Sequence, residues 1–369
     1  MRSEGTRERH EVIVIGGGQA GLATGYFLAR RGVDFVILDA NARTGDTWRN
    51  RWDSLRLFTP AVHDGLPGLP FPAAANAFPT KDEMADYLEA YVRRFDLPVR
   101  HGMAVEGLTA EDGHYVVTAG GQDLEAEQVV VATGAYPTAR VPAFAPELAP
   151  GIRQLTAAEY RNAGQLLDGG VLVVGAGNSG AEIAMEAAAG HQTWLSGRGT
   201  GQVPAPVYAA NGRFFWWFAS HILTRNTPIG RKALAKIESG GGPLIRLRMA
   251  DVVAAGVERV SRTVGVRDGR PLLDDGRVLD VSNVVWATGF VADYSWIRLP
   301  GFGDDGTVTH ERGVVTGSPG LYFVGLPFQS GFTSAFIGGV ERDARRIVDV
   351  LAAARHPRGT PHPATAAGE

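Results

Sequence analysis

The chain contains no cysteine. That absence excludes disulfide scaffolds, thiolate metal sites, cysteine nucleophiles and every dithiol redox mechanism. Any redox work must therefore rest on a bound cofactor. An excess of basic charge is also lacking, since 36 Lys and Arg stand against 39 Asp and Glu, and nucleic acid is an unsuited partner. No apolar run approaches the roughly 20 residues of a membrane-spanning helix, and the opening MRSEGTRERHE is charged where a signal peptide turns apolar. The expectation is a soluble, cytoplasmic protein. The nine His show no HxxxH or HExxH spacing, so no metal site is expected, and His63 and His310 read as loop or surface residues.

What is present is a core-rich chain of 369 residues, 44% hydrophobic, long enough for two or three domains. Its first motif is VIVIGGGQAG, from Val12 to Gly21. Val12-Ile-Val-Ile15 reads as a buried parallel strand, Gly16 to Gly21 as a turn, and Leu22 to Arg30 as a helix with Leu22, Tyr26 and Ala29 on one face. Gly32 reads as its C-terminal cap. A second strand, Phe35 to Leu38, stops at Asp39. Strand, Gly-rich turn, helix, strand and acid within about thirty residues form the full context of a dinucleotide fingerprint. Gly16 permits the tight turn, Gly18 admits a pyrophosphate to the backbone, and Gly21 lets helix and strand pack closely. The helix N-terminus, through Gln19 and Ala20, offers free N–H groups to the phosphates. Asp39 would accept hydrogen bonds from a ribose 2′-OH.

The plan then repeats. Val171 to Val174 is a strand, Gly175, Gly177 and Gly180 are the three glycines with Asn178 and Ser179 between them, and Ala181 to Ala189 is an Ala-rich helix. The next strand, Gln192 to Leu195, ends on Ser196-Gly-Arg198 instead of an acid. A carboxylate repels a 2′-phosphate, whereas Ser196 and Arg198 would bind one by charge-assisted hydrogen bonds. The first site suits FAD or NAD and the second suits NADPH. Each copy is closed more than a hundred residues later by a strand and Ala-Thr-Gly, at Val129 to Gly134 and Val284 to Gly289, so that Thr133, Gly134, Thr288 and Gly289 mark the closing turns. Short antiparallel strands precede each closure. The expected fold class is α/β, with two Rossmann-like dinucleotide-binding domains, the NADPH domain inserted in the FAD domain. The expected boundaries are 1–148 and 313–355 for the FAD domain, 149–312 for the NADPH domain, and a disordered tail at 356–369.

Two dinucleotide folds, each closed by ATG, resemble the two-dinucleotide-binding-domain flavoproteins over nearly the whole chain. GNSGAE in the second fingerprint, GDTWRNRWDSLRLFTP at Gly45 to Pro60, FPTKDEMADYLEAY at Phe78 to Tyr91 and WATGF at Trp286 to Phe290 resemble the single-component flavin-containing monooxygenases and their bacterial relatives. The resemblance implies FAD on the first site and NADPH on the second. It also implies transfer of one oxygen atom from O2, through a flavin C4a-hydroperoxide, to a small amine, sulfide or electron-rich carbon. By that resemblance Asp39 holds the FAD ribose, Thr47 and Trp48 lie along the pyrophosphate and flavin, and Val105 meets the adenine through its backbone. Thr133 and Gly134 line the crossing between domains, and Gly325 and Gln329 sit near the isoalloxazine. No protein acid, base or nucleophile is required, so no catalytic residue is assigned.

The chain departs from the family at two points. Thr156 stands where the linker motif FxGxxxHxxxY has His, although Tyr160 matches, and Phe58 stands where many heteroatom-oxidising relatives have Asn or His. A Phe cannot donate a hydrogen bond to a peroxide or substrate. These departures keep a second function open, an FAD-dependent NADPH reductase or dehydrogenase without oxygen transfer, beside a third, a non-catalytic NADPH-binding regulator. The aromatic insertion near 204–243, with FFWWF at Phe214 to Phe218, reads as helical core, pocket wall or interface. The sequence leaves self-association open.

Overall fold

A computed structural model describes residues 7–134, 138–203, 212–240, 243–300, 302 and 308–355. The expected tail at 356–369 and part of the aromatic insertion lie outside the described residues. Eight α-helices occur among them: α1 (Gln19–Ala29), α2 (Asp46–Arg49), α3 (Lys81–Phe95), α4 (Asn178–Ala187), α5 (Arg213–His221), α6 (Pro228–Gly240), α7 (Met249–Ala254) and α8 (Val340–Arg355).

The first sheet is built on Glu8–Ile15, which pairs in parallel with Phe35–Leu38 on one side and Gln122–Val131 on the other. Leu321–Phe323 extends it in parallel beyond Gln122–Val131, and Val99–Arg100 extends it beyond Phe35–Leu38. Residues 12–15, 35–38 and 129–131 are buried on both faces, which is why they read as continuous apolar runs rather than as alternation. Val12, Val14, Phe35, Ile37 and Val130 pack beneath Leu22, Leu28 and Met84 of α1 and α3 and Ile347 of α8. Ile13, Ile15, Val36, Leu38 and Val131 face the opposite way, onto Leu108, Tyr115 and Val117 of an antiparallel hairpin, Val105–Glu111 with His114–Ala119. Each fully buried Leu or Ile of this kind contributes about 1.5–3 kcal/mol.

The sequence-based expectation for α1 needs revision. Ala29 is exposed, and Ala20, Leu22, Ala23, Thr24, Gly25, Phe27 and Leu28 are all buried, so the helix is wedged between the sheet, α3 and α8 instead of presenting one face. Gly25 allows this, since a Cβ there would press on Ile37 and Phe35.

The second sheet is wholly parallel, in the order Glu258–Val260, Thr193–Ser196, Val171–Val174, Asn283–Trp286, Arg153–Thr156. Its faces divide in the same manner. Val171, Val173, Leu195 and Val285 pack against Ala181, Ile183 and Ala184 of α4 and Val252 of α7, while Leu172, Val174, Trp194 and Val284 face Leu148, Leu273 and Leu279.

The chain rejoins the first unit earlier than residue 313. Tyr294 and Ile297 already lie in its core, Leu108 N donates to Trp296 O at 2.9 Å, and Arg298 N donates to Leu108 O at 2.9 Å. His310–Glu311 then pairs with Val314–Val315 at the sheet edge. The return segment is too irregular to carry a period, so the sequence gives no boundary signal there. Both crossings between units run side by side: Thr138–Ala139 and Phe290–Val291 form an antiparallel two-stranded ribbon.

Candidate functional site: two Gly-rich cradles

Each parallel sheet ends in the same turn. Gly16 and Gly175 have φ of +113° and +115°, a region that L side chains avoid, and a Cβ on either would overlap the carbonyl of Ala132 or Ala287 in the closing strand. Gly21 and Gly180 lie against the carbonyls of Gly16 and Gly175, leaving no room for any side chain. Gly18 and Gly177 are the N-caps of α1 and α4, with φ of −81° in both, and a Cβ on either would meet open space. Neither helix has a side-chain cap or an acid in its first turn. The leading N–H groups, from Gln19 and Ala20 in one and Asn178 and Ser179 in the other, are thus left for an anion. These features fit a dinucleotide pyrophosphate at both turns.

The rims differ. Asp39 is 5% exposed and lies beside Gly17, whose Cβ would touch Asp39 Oδ2. Its Oδ1 accepts hydrogen bonds from Asn41 N at 3.0 Å and Asn41 Nδ2 at 2.8 Å. Asn41 Nδ2 also donates to Thr47 Oγ1 at 3.3 Å, so Asp39, Asn41 and exposed Thr47 form one polar rim. Half-buried Trp48 packs against the core beside it. Asp39 N donates to Arg100 O at 2.8 Å, which anchors the strand end and makes the carboxylate's position a property of the sheet.

At the second rim the register decides which residue corresponds to Asp39. Ile15 pairs with Leu38 and Val174 pairs with Ser196, so Ser196 is the counterpart of Leu38 and Gly197 the counterpart of Asp39. The expectation that Ser196 faces a 2′-phosphate is corrected accordingly. Its hydroxyl is fully buried, donates to Ser261 O at 2.9 Å and lies 2.8 Å from Thr263 Oγ1, spent inside the sheet. Gly197 sits against Ala176 as Asp39 sits against Gly17, so the carboxylate of the first rim has no counterpart at this position, and Arg198 follows it, exposed.

Other expected residues are partly committed to structure. Asn178 Nδ2 donates to Pro243 O at 3.2 Å, and its Oδ1 accepts from Ile245 N at 3.0 Å, so the amide fastens the segment after the aromatic insertion. Thr288 Oγ1 donates to Arg140 O, and Arg140 N donates to Gly289 O at 2.9 Å, tying both crossings together. Thr133 is exposed and Gly134 takes φ +77° at the first crossing. Val105 opens the hairpin strand opposite Ala119. Gly325, with φ +90°, abuts Ala20 at the start of α1. Gln329 is fully buried; its Nε2 donates to Phe323 O at 2.8 Å and its Oε1 accepts from Leu326 N at 3.2 Å. Its side chain therefore shapes the loop and has no polar atom to spare for a ligand.

A third constellation brings together residues far apart in sequence. Phe58 meets Phe336 edge-on at 5.5 Å, Phe336 meets Trp216 at 5.7 Å and Phe332 at 5.1 Å, and Trp216 meets His63 at 5.7 Å. Trp216 is buried, yet its Nε1–H reaches no acceptor. An unpartnered buried donor costs about 1–3 kcal/mol unless a ligand or water satisfies it. Asp64, in the same loop as Phe58 and His63, is fully buried. Thr59 Oγ1 donates to its Oδ1, its Oδ2 has no partner, and burial pushes its carboxyl up from an ordinary 3.8 to about 7. Asp343 of α8 is likewise buried, with both oxygens unpartnered. The sequence held a signal for Asp343, an acid on the apolar face Val340, Ala344, Ile347, Val348, Leu351. It held none for Asp64.

The two departures from the flavin-monooxygenase pattern also have structural consequences. Thr156 N and Oγ1 both donate to Glu159 Oε2, at 2.8 and 2.9 Å, closing a local turn. Tyr160 is buried and donates to Glu186 Oε1 of α4 at 3.1 Å, and Ser54 Oγ donates to the other oxygen of the same carboxylate. Asp53 N donates to Arg161 O at 2.7 Å, so the DSLRLFTP loop of the first unit is fastened to the second. Trp52 faces the largely buried Glu182, which pairs with Arg246 at 2.7 Å, without closing a hydrogen bond to it.

Comparison with known proteins is consistent with this architecture. Residues 13–206 match the family model described as pyridine nucleotide-disulphide oxidoreductase. The uncharacterized oxidoreductase CzcO-like of Geobacillus kaustophilus is 41% identical, over 92% of this chain and 98% of that one. Indole-3-pyruvate monooxygenase YUCCA1 of Oryza sativa subsp. japonica is 28% identical, over 94% of each chain. Among solved structures, the flavin-containing monooxygenase from Stenotrophomonas maltophilia is 28% identical, with a TM-score of 0.80, over 94% of this chain and 99% of that one. No helix among the described residues is long and apolar enough to cross a membrane.

Proposed function

Because the chain belongs to the pyridine nucleotide-disulphide oxidoreductase family and is a flavin-dependent oxidoreductase, we propose that it is an FAD- and NADPH-dependent monooxygenase acting on a small organic substrate. The observation that carries this reading is the pair of near-identical cradles with unlike rims: Asp39 at one, Gly197 and Arg198 at the other. A carboxylate accepts the two hydroxyls of a ribose and repels a phosphate, and its replacement by glycine and arginine reverses both preferences. FAD would lie on Gly16, Gly18, Gln19, Ala20 and Gly21, with Asp39 on its ribose, Val105 beside its adenine, Thr47 and Trp48 along its length, and Thr133, Gly134 and Gly325 about the flavin end. NADPH would lie on Gly175, Gly177, Asn178, Ser179 and Gly180, with Arg198 on the 2′-phosphate and Thr288 and Gly289 at the crossing.

When bound, FAD supplies the redox chemistry, taking hydride from the nicotinamide and activating O2. The protein's part is to bind, orient and keep water out. Phe58, Phe332, Phe336 and Trp216 form the apolar wall suited to that exclusion, with the Trp216 N–H as one fixed donor for a substrate acceptor. The substrate class is a small amine, sulfide or electron-rich carbon with an apolar body. The chain lacks the cysteine pair of a disulfide reductase, so that branch of the family is excluded.

The deciding experiment supplies NADPH, ¹⁸O2 and a panel of amines, sulfides and indoles to the FAD-loaded protein and measures ¹⁸O in the products by mass spectrometry. Incorporation of one labelled atom is expected. One observation favours a second reading, a reductase without oxygen transfer: Phe58 places a ring where a donor would stabilise a peroxide. NADPH oxidation coupled to an artificial acceptor, with no label in any product, would decide for it.

A further inference from the structure

Helix α5 has two unlike faces. Trp216 and Ala219 are buried, whereas Phe214 is 78% and Trp217 52% exposed. Phe214 and Trp217 stack at 6.4 Å, and Trp217 stacks on exposed His221 at 5.2 Å. Their spacing, i, i+3, i+7, makes one continuous aromatic stripe along the outer face. Ile229, at the start of α6, is 54% exposed. Lone exposed apolar residues need no explanation, but a stacked stripe of large rings facing water does.

The stretch of chain that carries the stripe is rich in cations and short of acids. The sequence from residue 187 to 237 contains no Asp or Glu, yet it carries Arg198, Arg213, Arg225, Arg231, Lys232 and Lys236, the last two being two of only three lysines in the chain. Arg213, Arg225, Arg231 and Lys232 are exposed, and none pairs with a carboxylate among the described residues. Arg342 adds a further exposed cation against the helix, donating to Ser220 O at 2.7 Å. This is a local cationic rim on a protein whose net charge is −3.

We propose that the outer face of α5 docks on an anionic bilayer surface, with Phe214 and Trp217 inserted at the headgroup level and the surrounding Arg and Lys over the phosphates. Rings of this kind prefer the interface, where one edge is apolar and the other wet, and each Lys or Arg near an anionic surface adds to the attraction. Charge complementarity selects this occupant. A second copy of the chain would set one cationic rim against another, which repels, and a neutral bilayer would leave the rim without partners. This inference does not depend on the nature of the oxidation.

The test is co-sedimentation of the FAD-loaded full chain with vesicles of phosphatidylcholine alone and of phosphatidylcholine with about one-third phosphatidylglycerol. Binding is expected to be at least about tenfold stronger on the anionic vesicles, to weaken with added salt, and to blue-shift Trp fluorescence. The double variant Phe214→Ser/Trp217→Ser, whose altered side chains face water, and Arg231→Ala/Lys232→Ala should each lose most of the binding while retaining bound flavin. Equal partition onto both vesicle types, no partition onto either, or undiminished binding by the flavin-loaded double variants would overturn the proposal. So would a wild-type dimer in sedimentation velocity that the aromatic variant abolishes without any vesicle binding.

Discussion

The two Gly-rich turns, around Gly16 and Gly175, share φ values within a few degrees, share the same steric reasons for glycine, and share a helix N-terminus without cap or acid. They differ at the end of the following strand, where Asp39 stands against Gly197 and Ala40 against Arg198. On the proposed reading, backbone geometry would provide the phosphate site in both, and the rim residues Asp39, Gly197 and Arg198 would provide the discrimination. The frame of the turn is thus kept in both copies while the rim beside it changes.

The largest expected effect follows from removing what the two turns share. Gly16→Ala should abolish flavin retention, seen as loss of visible absorbance in the purified protein. Gly175→Ala should leave the flavin in place and weaken the pyridine nucleotide by about 100-fold or more, since each adds a Cβ at positive φ against a strand carbonyl. Equal loss of flavin in both variants would mean that the two sites are not independent. Next comes the rim: Asp39→Ala removes charged hydrogen bonds and should weaken FAD by about 10- to 100-fold in a fluorescence titration, with little change in nucleotide KM.

A third prediction uses the buried acid that only the first unit's loop carries. With its carboxyl held near 7 against 3.8 in the unfolded chain, native Asp64 keeps a proton that the unfolded chain has released over that interval. Its contribution to stability is therefore full below about pH 4 and is lost as the pH rises through 7, on the order of 2–4 kcal/mol. Asp64→Asn should remove that fall from chemical-denaturation midpoints measured between pH 4 and 8; an unchanged pH profile would show that the acid is ionised in the fold. Smaller again, Arg198→Ala should lower the NADPH-to-NADH ratio of kcat/KM by about tenfold. Smallest, Ser196→Ala should change that ratio less than about twofold, because its hydroxyl serves Ser261 and Thr263. A large loss of NADPH preference there would restore Ser196 to the phosphate site.

Much of this arrangement was legible in the chain. Strands buried on both faces announce themselves as unbroken β-branched runs, and Gly16 to Asp39 places its turn, helix and rim by spacing alone. The legible part stopped at alignment across the second strand. The sequence offers the tripeptide Ser196-Gly-Arg198 where the first unit has Asp39, whereas the parallel pairing of Val174 with Ser196 sets Gly197 there and leaves Ser196 within the strand, and a one-residue slip turns a side chain from rim to core. Long-range packing was equally hidden. Nothing in FFWWF says that Trp216 turns inward to Phe336 while Trp217, its neighbour, turns out, because the period of 3.6 needs a known inner face before it can assign either. The early return of Tyr294 and Ile297 to the first core shows the same limit, since those residues find partners only through the hairpin at Leu108.

The ribbon between Thr138–Ala139 and Phe290–Val291 sets how the two halves can move. Two separate tethers would let one half swing and slide on the other; two strands zipped together, with Thr288 bound to Arg140, behave as one axle. The hydrogen bonds of Ser54 and Tyr160 to Glu186 fasten the halves again, beside the joint made by the ribbon. On the proposed reading, a nucleotide seated in the second half would therefore be held to the first by both crossings at once.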